Sequence, residues 1–204
     1  MLPKRSRQLL VWLHVITSIG WMSLALVLFA LFTFGLSTET AGMRDSADAM
    51  AHLLDKQVLA HLANASAFTG FMLSALTQWG YFRHWWVLVK FVITVVQLAL
   101  GIFVLVPTVA GINVAATALM CTAIAFQAWL SVAKPGKRTP WTPPGKVPTG
   151  PAWLFAVALV VPVIDFAVGF GLFGHPMPMV SLLVVIGCAM RHKPKDLKIV
   201  SRQR

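Results

Sequence analysis

Acidic residues are scarce: the 204-residue chain holds six Asp and Glu against seventeen Lys and Arg. So few carboxylates argue against a multi-metal centre built on oxygen ligands. Cysteine is almost missing, and Cys121 and Cys188 fall in separate apolar runs. Both read as free thiols, with no structural disulfide to report a redox compartment. The signatures of soluble catalysts are also missing: there is no Walker loop, no dinucleotide-binding glycine fingerprint, no Gly-x-Ser-x-Gly and no Cys-x-x-Cys. No internal repeat is visible.

What is abundant is apolar length. Six stretches, residues 9–36, 50–81, 85–106, 112–133, 152–173 and 177–190, dominate a chain that is 58% hydrophobic. Most reach the roughly 20 residues that a helix needs to cross about 30 Å of hydrocarbon. The first follows Lys4, Arg5 and Arg7 but is too long for a signal-peptide core and lacks a small-x-small cleavage site, so it reads as a span. The second is longer than a bilayer requires, and its first turns, with Asp48, His52, Asp55 and Lys56, are expected to project outside. The sixth is short, starts at Pro176 and Pro178, and reads as a tilted or re-entrant segment.

Charge sorts by loop. Fourteen of the seventeen basic residues fall before the first stretch, after the second, after the fourth and after the sixth. Lys and Arg in short loops stay cytoplasmic, which predicts both termini inside and Glu39, Asp45, Asp48 and Asp55 outside. The fold class expected is therefore all-α, a polytopic membrane protein of the bacterial plasma membrane: a four-helix transmembrane bundle over 1–133 and a transmembrane hairpin with a basic tail over 152–204. Between them, residues 134–151 carry six prolines and four bases and read as an extended, solvated cytoplasmic linker. A net charge of +11 would point to nucleic acid in a soluble protein. Here the bases flank spans, so the expected partners are anionic inner-leaflet lipids, together with a second copy or a partner subunit in the membrane, and not nucleic acid.

A charge inside the bilayer costs at least about 2.5 kcal/mol, so ionisable residues within spans call for a partner or a function. Four stand out: His14, His61, Lys90 and Asp165. His14 and Lys90 each lie five residues into helices that enter from the basic side, about 8 Å deep at 1.5 Å per residue. Each heads a polar stripe at helical spacing: His14, Ser18 and Trp21 on the first helix, and Lys90, Thr94, Gln97 and Gly101 on the third. The fourth helix adds Asn113, Thr117, Met120, Gln127 and Ser131. A neutral His in a helical bundle is a common axial ligand of haem iron, and a deprotonated Lys is a candidate second ligand. The bland alternatives are a hydrogen-bonded core histidine and a snorkelling lysine. Nearer the other surface, Asp165 follows Pro162 at the depth of His61 and Asn64, which suggests a buried ion pair or a proton relay. A third pattern, Ser66, Gly70 and Ser74 at four-residue intervals, is a small-xxx-small packing stripe.

The run His14-Val-Ile-Thr-Ser-Ile-Gly-Trp21-Met22 and the segment Phe82-Arg83-His84-Trp85-Trp86-Val87-Leu88-Val89-Lys90 resemble a broad group of bacterial membrane proteins. In these the first helix carries Leu-His with a Trp seven residues on, and the third opens with aromatics and a Lys. Over residues 9–108 the chain looks like uncharacterised actinobacterial integral membrane proteins, and more distantly like HemJ-type protoporphyrinogen oxidases and CopD-type copper-linked domains. The HemJ resemblance implies b-type haem held around His14 and Lys90. The Pro-Arg-Leu run of that family is missing from Ser23 to Phe29, and Ser23-Leu24 stands where CopD members have a Gly pair. What the resemblance implies is a haem pocket around His14 and Lys90 without either named activity; the polar stripes add Trp21, Thr94 and Gln127 as candidate cofactor-binding residues. The alternative expectations are a permease or accessory subunit for a metal or small cation, with His61 and Asp165 on its path, and a non-catalytic scaffold.

Overall fold

The computed structural model describes residues 4–103, 110–142, 150–174 and 178–191. The end of the third apolar stretch, linker residues 143–149 and the basic tail from 192 lie outside them. Helix α1 spans Lys4–Ser37, and α2, Ala41–Leu54, runs through a π-helical turn, Asp55–Leu59, into α3, Ala60–Leu76. Then come α4 (Trp85–Phe103), α5 (Ala110–Ala133), α6 (Trp153–Phe173) and α7 (Met179–Arg191). The described residues contain no strand, as runs apolar over twenty residues require when every backbone group must find its partner within the segment. Four helices are long and apolar enough to cross a membrane: α1, the continuous α2–α3, α5 and α6. The chain is a multi-pass membrane protein.

α1 and α2–α3 form a long antiparallel hairpin of 34 and 36 residues, roughly 50 Å at 1.5 Å per residue. Both overshoot a bilayer, and the excess lies where the acids are. There Arg44 closes the hairpin by donating from Nε to the carbonyl of Gly35 at 3.2 Å and from Nη2 to that of Thr38 at 2.9 Å. These are orphan carbonyls of a helix C-terminus, which a cation suits. The extra residue of the π-helical turn rotates the face of the helix that follows. Thus Ala51 and Leu59 pack with Leu28 and Phe32 of α1, while His61, two residues past the turn, lies against Phe166 and Phe170 of α6.

α3 is the centre of the molecule. It packs on α1 along one side and on α6 and α7 along another, and α4 rests on α3 and α5. One cluster joins Leu10 of α1, Phe68, Met72 and Leu76 of α3, Leu154, Ala158 and Val161 of α6, and Val185 and Cys188 of α7. The hairpin expected as a separate unit after the linker therefore shares its core with the bundle. Gly150 makes the join close: a Cβ there would stand 2.9 Å from the carbonyl oxygen of Ala75. Since Leu10, Tyr81 and Cys188 lie in that cluster, α7 returns to the end at which α1 begins. That end also carries the described loop bases, and it is called the basic end below.

The structure gives the short last helix a specific form. The carboxylate of Asp165 accepts the backbone N–H of Val180 at 2.8 Å and of Ser181 at 2.9 Å, and these are first-turn amides of α7 with no intrahelical acceptor. Asp165 lies twelve residues into α6, about 18 Å from its start, and the 13 residues of α7 cover about 20 Å. Helix α7 thus starts inside the layer that α6 crosses and runs back to the basic end. A short apolar run suffices because about a third of the roughly 30 Å crossing is left to Asp165 and its cavity.

Candidate ligand-binding site

A cavity of about 390 Å³ opens between α1, α3, α4 and α5, a volume in the range of small-molecule and cofactor sites. Its walls include His14, Trp21, Lys90, Thr94 and Gln127, and the structure brings all five together. Helical periodicity is the reason: the two histidine- and lysine-headed stripes face each other across the space that α4 leaves by resting on α3 and α5.

His14 is oriented by α3. Its Nδ1 lies 3.0 Å from the carbonyl oxygen of Ser66 and 3.2 Å from Oγ1 of Thr69. A carbonyl only accepts, so Nδ1 carries the proton and Nε2 keeps its lone pair. No hydrogen bond among the described residues occupies Nε2. This is the arrangement that fixes tautomer and ring direction in metal-ligating histidines. The ring also needs room. A Cβ on Gly70 would stand 3.0 Å from Cε1 of His14, so this member of the small-residue stripe does more than let backbones approach. It makes the hollow that the imidazole occupies. Ser66, its neighbour on the stripe, also hydrogen-bonds Ser18 of α1 through the two hydroxyls at 2.7 Å.

The opposite wall is a hydrogen-bonded chain. Lys90 Nζ donates to Ser131 Oγ at 2.6 Å, and Thr94 Oγ1 donates to Gln127 Oε1 at 2.9 Å. Gln127 Nε2 donates to Gln97 Oε1 at 2.6 Å, and Gln97 Nε2 to the carbonyl of Met120 at 3.3 Å. Trp21 closes the inner end, its Nε1 3.3 Å from the sulfur of Met120. Much of the polar stripe on α4 and α5 is therefore interhelical glue. Lys90 keeps two of its three donors for another partner. Towards the basic end the walls add Trp79, Trp86 and Lys134, with Lys134 Nζ 5.6 Å from the centroid of the Trp79 ring. In the sequence Lys134 reads only as a linker charge. Its position just beyond the end of α5, one turn after Ser131, is the available signal.

The second constellation is arranged otherwise than the sequence suggests. His61, Asn64 and Asp165 do line one cavity, of about 370 Å³, with Pro162 and Ser181. Yet among the described residues no hydrogen bond joins Asp165 to His61. The acid is engaged by the two α7 amides, and His61 stacks on Phe170 at 5.2 Å between centroids with its Nε2 buried and unpartnered. Equal depth does not imply contact here, because the start of another helix supplies better donors. No group of three or more His, Cys, Asp or Glu able to hold a metal ion occurs among the described residues.

Comparison of the chain with protein-family models, curated proteins and solved structures finds no match.

Proposed function

We propose that this multi-pass protein sits in a bacterial plasma membrane with its basic end in the cytoplasm and binds b-type haem in the cavity beside His14. The observation that carries this reading is the histidine itself: Nδ1 fixed on a backbone carbonyl, Nε2 left as a lone-pair donor, and a glycine opposite the ring to give it room. A scaffold needs the hydrogen bonds between α4 and α5 but not a cavity of this size with an unengaged imidazole nitrogen on its wall.

The residues present fit the group. His14 would hold the iron through Nε2, and the tryptophans at 21, 79 and 86 would offer broad apolar walls. Lys90 and Lys134, near the basic end, suit the two carboxylates of such a molecule as charge-assisted donors. Lys90 would then serve as a carboxylate partner, using the donors that remain beside the one it gives to Ser131. When bound, the haem supplies one-electron chemistry at iron, and an electron-transfer or porphyrin-related role follows. The protein's contribution is to hold the ring, exclude water and neutralise the acid groups.

Protein expressed with ample haem and purified in detergent should show a Soret band and, after reduction, resolved alpha and beta bands. Lys90→Met should weaken haem retention several-fold while leaving the band positions in place. A colourless preparation, or one whose bands shift in Lys90→Met as they would on loss of an iron ligand, contradicts these assignments. Orientation has its own test: a reporter inserted near Asp45 should behave as periplasmic, and one inserted after Lys137 as cytoplasmic. The reverse pattern would place the basic end outside.

A further inference from the structure

At the basic end Arg83 and Arg138 lie on two backbone segments that are clasped together, and neither forms a salt bridge among the described residues. The segment after α5, expected as a free linker, folds back over residues 134–142 onto the turn between α3 and α4. Thr139 donates its N–H to the carbonyl of Arg83 at 2.9 Å and its hydroxyl to that of Phe82 at 2.6 Å. Trp141 Nε1 donates to the same Phe82 carbonyl at 2.9 Å, and an antiparallel bridge pairs His84 with Arg138. Gly136, at φ +85°, makes the reversal with a backbone conformation that glycine adopts without penalty. The clasp sets Arg83 and Arg138 one residue out of register across the two segments; Arg83 donates from Nη1 to the carbonyl of Gln78 at 3.3 Å, and burial, with the Arg138 charge, lowers its pKa.

Two arginines on one clasp make a local positive field that an anion would neutralise. The protein's own described acids are not available. Glu39, Asp45, Asp48 and Asp55 lie at the opposite end, Asp165 is engaged by α7, and Asp196 is outside the described residues. The surroundings say what kind of anion fits. Trp85 and Trp141 form an edge-to-face pair at 5.6 Å beside the arginines, as do the aromatic side chains that gather at membrane interfaces. From Trp85 an exposed apolar stripe continues along one face of α4 through Val89, Val92 and Val96, a spacing of four, three and four residues that keeps one side of a helix.

We infer that Arg83 and Arg138 bind the phosphate of an anionic phospholipid of the inner leaflet, whose acyl chains follow the Trp85–Val96 face of α4. A free phosphate has no use for that stripe, and a lipid uses both parts. The site is independent of the haem assignment.

The test is lipid retention by the full chain in a non-ionic detergent, measured by native mass spectrometry after exchange against an equimolar mixture of phosphatidylglycerol and phosphatidylcholine. The wild type should retain phosphatidylglycerol about tenfold over phosphatidylcholine, with each arginine contributing a several-fold share. The double variant Arg83→Gln/Arg138→Gln should lose that preference. If it does not fold, Arg138→Gln alone, at an exposed side chain, should still cut the preference several-fold, and Lys137→Gln should not. An undiminished preference in Arg138→Gln overturns the assignment. So does an equal fall in Lys137→Gln, which would reveal a diffuse basic field, or displacement of the lipid by millimolar inorganic phosphate.

Discussion

Replacement of His14 by Ala should remove the proposed haem spectrum, with retained haem expected to fall at least about tenfold at equal expression. The size follows from what is lost. On the proposed reading the bond from imidazole to iron would go, and so would the ring that fills the hollow at Gly70, which would leave apolar contact and two lysine–carboxylate pairs to hold the group. Gly70→Val should reproduce the loss without touching the ligand, because its side chain must occupy the place of the imidazole. An unchanged spectrum in His14→Ala excludes axial ligation there, whatever the cavity holds.

The second large effect is on stability. Asp165→Ala leaves the first amides of α7, Val180 and Ser181, without their carboxylate acceptor inside the apolar layer. Hydrogen bonds to charged groups contribute roughly 1.5–3 kcal/mol each, and orphaned buried donors cost a comparable amount. The expected loss is about 3 kcal/mol or more, measured by denaturant unfolding in micelles. Asp165→Asn keeps one good acceptor and should lose about half of that. An Asp165→Ala protein as stable as the wild type would contradict the capping role.

These two residues also mark the boundary of what the sequence makes legible. Apolar length and the 3.6-residue period are enough to give helices and the faces they turn inward, and so His14, Trp21, Lys90, Thr94 and Gln127 can be assigned to one interior from their spacing alone. Partners are another matter. Depth along a helix says which side chains are level, and Asp165 and His61 are level. What it omits is a backbone donor, since amides at a helix start leave no mark in a side-chain pattern. The brevity of residues 177–190 is the trace: a helix too short to cross has to begin inside. Gly70 presents the converse difficulty. A small residue at four-residue spacing signifies a close approach, but not whether a backbone or an imidazole makes it. The basic, proline-rich character of residues 134–151 indicates solvent and an extended chain, whereas Thr139 and Trp141 tie its first half to the α3–α4 turn.

The measurement that bears most directly on the central claim is chemical rescue at His14. Glycine in place of His14 removes the whole CH2–imidazole side chain and leaves a hollow that free imidazole can enter in its stead. His14→Gly loaded with haem should show an altered or depleted Soret band that returns to the wild-type position as imidazole is titrated in, while the wild type does not respond. A His14→Gly spectrum identical to that of the wild type before any imidazole is added would show that the iron, if present, is held elsewhere.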